Sequence, residues 1–257
     1  MTDEFEQSIT KKYRDKLWSK FVKAIKEYQL IQPNDHVCVC ISGGKDSMLM
    51  ARLFMQLKKH SDFNFEVEYL VMNPGYNEIN LQTIMNNLQK LSIPAKVVES
   101  NIFEIANSQD KSPCFLCAKM RRGALYNFAK KMGCNKIALG HHYDDVIETT
   151  LMNLLNSGSF QTMLPKLKST NFEGMELIRP MYLIREKDII SWKNYHHLRS
   201  ISPTVITLPV CTSTPAMRSR HSQMILTTWQ ILSKITSQSF ISLWKNRNSL
   251  WEASHMN

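Results

Sequence analysis

Residues 36–47 read HVCVCISGGKDS, an alternating apolar run that stops at two glycines, a lysine, an aspartate and a serine and passes straight into a helical pattern. No other stretch restricts the fold as much. A β run delivered through a Gly-Gly turn into a helix is the first half of a crossover unit, because parallel strands need a helix-length connection. The alternation then continues. β runs at 65–72, 95–99 and 136–139 are separated by helical patterns over 46–59, 78–91, 117–132 and 144–156. This order predicts an α/β fold, a doubly wound parallel sheet covered on both faces. Ligands of such sheets sit beyond the carboxyl ends of the strands, where strand order reverses. The loops 42–47, 73–76 and 140–145 therefore gather around one cleft.

Ahead of the first β run, the apolar residues Phe5, Ile9, Tyr13, Leu17, Phe21, Ile25 and Tyr28 fall three or four apart among charged neighbours, the pattern of an amphipathic helix. Its outer face carries Lys11, Lys12, Arg14, Lys16, Lys20 and Lys23. Such a face is either simply solvated or a contact for nucleic acid. The whole chain has a formal net charge of +10, which suggests a polyanionic partner, since Lys and Arg release the counterions held by nucleic acids. At 257 residues and 43% hydrophobic it is long enough for one sizeable core. The polar, acidic start MTDEFEQ does not read as a secretory signal, and no apolar run approaches membrane-spanning length. The expected location is the cytoplasm, with no membrane partner.

Three segments follow from these patterns: an N-terminal helix over 1–30, an α/β domain over 31–198, and a tail over 199–257. The tail is atypical. No acidic residue occurs between Asp188 and Glu252, Ser and Thr become abundant, and the strand and helix periods fade. A basic disordered RNA-contacting tail, a weakly ordered extra domain, and a frame-shifted translation all fit, and the joint loss of acids and periodicity favours the last.

Ser42, Gly43, Gly44, Lys45, Asp46 and Ser47 have the chemistry of a phosphate cradle. Two glycines bring backbone N–H groups close to an anion, and the helix N-terminus adds partial positive charge. Lys45 neutralises phosphate oxygens, the two serines donate hydroxyls, and Asp46 holds Mg²⁺ or caps the helix. The loop is neither G-x-x-x-x-G-K-[ST] nor G-x-G-x-x-G, so neither a γ-phosphate transferase nor a dinucleotide enzyme is indicated. A plain strand-to-helix turn with an Asp cap is the bland alternative.

Cys114-Phe115-Leu116-Cys117 opens a helix after Pro113 and is followed by Lys119, Arg121 and Arg122. Two thiolates at this spacing ligate one metal or cluster, and the helix start and the cations lower their pKa values. A redox dithiol, half of a zinc site and two half-buried thiols remain open. Gly140-His141-His142-Tyr143-Asp144-Asp145 ends a β run and starts a helix. Beside a phosphate cradle, Gly140 and His141 suit nucleotide contact and the neighbouring side chains suit capping, better than a metal site. Cys38, Cys40 and Cys134 are expected to pack rather than react.

The hexapeptide resembles the SGGxDS loop of the PP-loop ATP pyrophosphatases. With MNPGYNEIN, PCFLCAKMRRGALY and KIALGHHYDDVIETTLMNLL, residues 1–198 resemble the tRNA 2-thiocytidine synthetase family. The resemblance implies ATP with Mg²⁺ on residues 42–47, a tRNA anticodon-loop cytidine as substrate, and a [4Fe-4S] cluster on three cysteines. Cys114 and Cys117 match the first two cluster ligands. Cys211 is the one cysteine left for the third place, in surroundings that do not match. The implied reaction adenylates the C2 oxygen of the base with release of pyrophosphate, with Lys45 and Mg²⁺ stabilising developing charge, and sulfide then displaces AMP. Lys45, Asp46, Cys114 and Cys117 carry that chemistry; Asp46, Asp144 and Asp145 are the candidates for a general base. Lys119, Arg121 and Arg122 would hold the tRNA backbone. A sulfur donor such as a cysteine desulfurase is an implied partner, and the reading admits a homodimer. Two other functions stay open: adenylation coupled to another nucleophile, and an impaired nucleotide- and RNA-binding remnant.

Overall fold

The computed structural model describes residues 4–73, 76–100 and 113–199. The chain divides into two units, Met1–Thr204 and Val205–Asn257, and the second lies wholly outside the described residues. So do Cys211 and all three readings of the tail.

The sheet grows from the apolar runs read above. β1 (His36–Ile41), β2 (Glu66–Asn73), β3 (Ala95–Glu99) and β4 (Lys136–Ala138) lie within one residue of the expected bounds. Their connections are α3 (Lys45–His60), α4 (Glu78–Lys90) and α5 (Pro113–Lys131), and α6 (Tyr143–Ser157) follows β4. α5 begins four residues before the expected start. Pro113 opens it, because proline presets the helical φ and its missing N–H has no partner to lose at a first helical position.

Two further strands were not expected. β5 (Lys166–Lys168) and β6 (Glu176–Ile178) complete a six-stranded sheet of order β3-β2-β1-β4-β6-β5. β6 runs parallel to β4, whereas β5 is antiparallel to β6, so the sheet is mostly rather than wholly parallel. Three residues are too few to display a period of two, and lysines at both ends of β5 suit an exposed edge.

Strand order reverses between β1 and β4, so the chain visits β2 and β3 on one side before crossing to the other. Along β1 the side chains alternate between two cores. Val37, Val39 and Ile41 pack with α3, while Cys38 and Cys40 pack with Tyr126 and Ala129 of α5. Cys38, Cys40 and Cys134 are free and buried. Hydrogen bonding to Cys38, together with burial, pushes the Cys134 thiol well above its ordinary pKa.

The first face is completed by the N-terminal helix, and its geometry differs from the expected uniform α-helix. Phe5, Ile9, Tyr13, Leu17, Phe21 and Ile25 are spaced by four throughout. At about 100° per residue, each step of four drifts about 40° around an α-helix, so six such residues cannot share one face. The chain solves this by widening its turns. α1 (Glu4–Gln7) passes into π-helical segments Ser8–Lys12 and Arg14–Trp18, then into α2 (Ser19–Glu27). Each π turn takes up an extra residue, as in the 2.8 Å bond from Tyr13 N to Ser8 O, and resets the stripe. Ile9, Leu17 and Phe21 are fully buried as a result.

A last helix, α7 (Glu186–Tyr195), holds that segment in place. The indole of its buried Trp192 donates to Ser8 Oγ at 3.1 Å, and His196 Nε2 lies 2.7 Å from the same oxygen.

Candidate active site

The β1–α3 loop keeps its helix end open. Gly43 has φ +84°, a left-handed conformation that costs glycine nothing and other residues appreciably. Gly44 is the N-cap of α3, with no side chain to bond the first-turn N–H groups. The hydroxyls instead hold the turn. Ser47 Oγ donates to Gly44 O at 2.9 Å and accepts from Ser42 N at 3.2 Å and Ser42 Oγ at 3.3 Å. The first N–H groups of the helix are left for an anion.

Lys45 and Asp46 stand at this end. Lys45 Nζ lies 3.1 Å from Asp46 Oδ2 and 2.9 Å from Glu186 Oε1. Burial opposes its charge, but hydrogen bonds and charge from Glu186 and Asp46 hold its pKa above the ordinary lysine value. Asp46 is raised by burial against the pull of Lys45 and His142. Its Oδ1 is buried without a hydrogen bond, 3.8 Å from His142 Nε2. A spare carboxylate oxygen beside an open helix N-terminus is the hard donor that Mg²⁺ takes, so the residues fit that ion.

The β4–α6 loop closes against this one. A Cβ on Gly140 would meet Ser47 N at 3.2 Å and Asp46 C at 3.3 Å, so only glycine permits the approach. His142 then caps α6: its ring accepts from Asp145 N at 3.3 Å while Asp145 Oδ2 accepts from His142 N at 2.8 Å. Tyr76 brings in the loop after β2, donating its hydroxyl to Ser42 O at 3.2 Å. Residues 74 and 75 of that loop lie outside the described residues.

A fourth loop, not anticipated, joins these three. Asp144 accepts from Arg185 Nε at 3.0 Å and from Glu186 N at 2.7 Å, which delivers the Glu186 carboxylate to Lys45. The signal was present in Glu186 and Asp188, acids in the first turn of α7. Of the three general-base candidates, Asp144 and Asp145 are thus engaged in holding loops together. Asp46 keeps a buried oxygen, Oδ1, without a hydrogen bond.

His141 and His142 separate. His142 stands 3.8 Å from Asp46 Oδ1, whereas His141 makes no such contact and keeps its Nδ1 buried without a hydrogen bond.

Cys114 and Cys117 lie three residues apart in the first turn of α5. As the crossover between β3 and β4, this helix starts at the carboxyl edge of the sheet, the edge that carries the glycine loop. Two thiols in one helical turn match the soft donors of an iron–sulfur cluster. Among the described residues, no group of three or more His, Cys, Asp or Glu side chains is placed to hold a metal ion.

Comparison with known proteins agrees with this geometry. Residues 13–202 match the model of a family described as a PP-loop domain. The chain is 38% identical over 211 residues to the tRNA-cytidine(32) 2-sulfurtransferase of Aliivibrio fischeri (strain MJ11), covering 80% of this chain and 66% of that protein. It is 34% identical over 232 residues to the protein of the same name from Aliivibrio salmonicida (strain LFI1238), covering 89% and 73%. The chain thus spans about two thirds of the length of these relatives. The U34-tRNA thiolase NcsA from Methanococcus maripaludis, solved with its [4Fe-4S] cluster, superposes with a TM-score of 0.63 at 22% identity, over 93% of this chain and 79% of that one. That likeness establishes a shared fold.

Proposed function

We propose, from the premise that this chain belongs to the tRNA-cytidine(32) 2-sulfurtransferase family of PP-loop proteins, that it replaces the C2 oxygen of a tRNA anticodon-loop cytidine with sulfur at the expense of ATP. One observation carries this reading: an open helix N-terminus with Lys45 and a spare Asp46 oxygen shares a sheet edge with a helix whose first turn includes positions 114 and 117, both cysteine.

In this mechanism residues 42–47 bind the ATP phosphates through backbone N–H groups and serine hydroxyls. Lys45, charged across the neutral range, stabilises the negative charge that builds as the base oxygen attacks the α-phosphate and pyrophosphate departs. Asp46 Oδ1 would hold Mg²⁺, which would supply positive charge to the same phosphates. Gly140 fixes the distance between the two loops. Cys114 and Cys117 would hold a [4Fe-4S] cluster, with Cys211 as the candidate third ligand. When bound, that group would supply sulfide to the activated carbon, from which AMP departs with the former C2 oxygen. Residues 31–198 form the catalytic domain on this reading, served by a separate sulfur donor such as a cysteine desulfurase. The protein works in the cytoplasm, where its substrate is.

Iron and acid-labile sulfide measured on anaerobically purified protein, with nucleoside mass spectrometry of tRNA from cells with and without the gene, tests this. Iron and sulfide in the protein, and loss of 2-thiocytidine on deletion, are expected. Stoichiometric zinc without iron would point to adenylation with another nucleophile. Unchanged 2-thiocytidine would leave an impaired nucleotide- and RNA-binding remnant, the second reading, motivated by the unmatched surroundings of Cys211.

A further inference from the structure

Buried polar atoms without protein partners call for a water, an ion or a ligand, because each costs about 1–3 kcal/mol if left unpaired. Among the described residues, such atoms occur on Asp46, Gln56, His141 and Arg179. Gln56 lies within α3, fully buried in the core. Asp46 belongs to the glycine loop. His141 Nδ1 and Arg179 Nε have no part in that loop.

The sheet places these two together. Ala138 of β4 pairs with Ile178 of β6, so Arg179 and the 139–141 segment leave adjacent parallel strands at their carboxyl ends. Leu139 N donates to Ile178 O at 3.0 Å, closing the two strand ends against each other. Arg179 is anchored by its backbone N to Pro165 O at 2.8 Å and by Nη1 to Leu164 O, which leaves Nε to face inward. Arg122, exposed on α5 one helical turn before Tyr126, is near enough that its charge and that of Arg179 disfavour each other. Arg179, after burial, is the strongest influence depressing the His141 pKa. Asp145 faces His141 as the acid of the group, but its carboxylate is already bonded to the His142 backbone. Tyr126 and Tyr182 are the other titratable neighbours of Arg179. Two adjacent strand ends that each carry a buried nitrogen without a partner, His141 Nδ1 and Arg179 Nε, with the exposed Arg122 adding charge nearby, form a site for an anion.

We propose that Arg179, Arg122 and His141 form a second phosphate site, separate from the glycine loop, that takes a backbone phosphodiester of the RNA substrate. It is His142, not His141, whose ring lies beside Asp46, 3.8 Å from Oδ1, and Asp46 with Lys45 already serves the nucleotide. A guanidinium held at Nη1 with Nε free gives a phosphate oxygen a directed donor, and an exposed arginine beside it adds a second. This site deepens the tRNA reading above and rests on it.

The test uses the full chain, wild type and with R179Q or R122Q. Binding of an unmodified anticodon stem-loop RNA with cytidine at position 32, and of ATP, is measured over a range of salt. Each variant is expected to bind the RNA roughly tenfold more weakly, with the salt slope reduced by about one, and to bind ATP within about twofold of wild type. R122Q changes an exposed residue and carries the same expectation should R179Q fail to fold. Unchanged RNA affinity and slope in both variants overturns this proposal alone, and so does weakened ATP binding with intact RNA binding, which would make the cluster a nucleotide site. ATP binding without any RNA binding by the wild type overturns the proposed function and this site with it.

Discussion

α3 and α6 begin at the same edge of the same sheet, one strand apart, and their N-termini are built in opposite ways. α3 starts at Gly44 with no side-chain cap. α6 starts at His142 with a reciprocal capping box. A capped helix has spent its free N–H groups on its own chain and contributes to the cleft only through the direction in which it aims side chains. One started by glycine gives up roughly a few tenths of a kcal/mol of local stability and keeps those groups for a ligand. The binding end of this cleft is therefore the one that looks less well made as a helix.

The largest expected effect comes from closing the open end. Gly44 has φ −72°, which any residue adopts, and a Cβ there would meet nothing closer than Ser42 Oγ at 3.6 Å. G44D should therefore fold, with a Tm unchanged or raised by about 1 °C, as expected for adding a cap. Its carboxylate would take the N–H groups and repel phosphate, weakening ATP binding by roughly a hundredfold or more. Calorimetric titration beside thermal melting checks both halves. ATP affinity within tenfold of wild type would mean that the helix end does not hold the nucleotide.

Opening the closed end is the converse. H142A removes the acceptor of Asp145 N and part of the packing around a ring that is 4% exposed. It should cost about 1–2 kcal/mol, a fall in Tm of roughly 2–8 °C, whereas H142N restores the cap and most of the stability. Equal losses in the two variants would assign the effect to packing.

The contrast also explains what could be read in the sequence. Two glycines before KDS announce an uncapped helix, and HHYDD announces a capped one, so both loops and their meeting at the strand reversal were legible. Neighbouring side chains were not resolved as well. Nothing in the order of His141 and His142 tells which one faces Asp46, because that depends on a single extended backbone unit. Arg179 lies between a three-residue strand and a proline and has no pattern of its own. Its importance comes from pairing β6 with β4, which a short strand does not advertise. The N-terminal helix is the opposite case. Its spacing of four was in plain view and is incompatible with a uniform α-helix, so the π turns follow from the sequence once the drift is counted.

Between the two helix ends stands Gly140, and it converts the comparison into a distance. G140A places a methyl 3.2–3.3 Å from the backbone of Asp46 and Ser47, so the loops must part by a few tenths of an ångström. Expected are a stability loss of about 1 kcal/mol and a several-fold weaker ATP affinity, with hydrogen exchange faster at both loops. Lost stability with unchanged ATP affinity would show that the open end works without its capped neighbour.

The smallest effect concerns a side chain that links the two ends through Glu186. Asp144, in the first turn of the capped helix, holds Arg185 and the Glu186 backbone, and Glu186 in turn lies 2.9 Å from Lys45 beside the open one. Without nucleotide, Glu186 supplies the negative charge that a phosphate would otherwise give Lys45. Binding must displace or share that contact, so Glu186 competes with the ligand. The pair is substantially exposed, 24% and 41%, which limits its strength to that of a surface ion pair. E186Q should therefore tighten ATP binding by roughly twofold to fivefold. The Lys45 pKa should fall toward the ordinary lysine value, because its strongest favourable partner is removed. Weaker ATP binding in E186Q would give Glu186 a positive role at the nucleotide, and the capped end would then contribute ligand-binding side chains of its own.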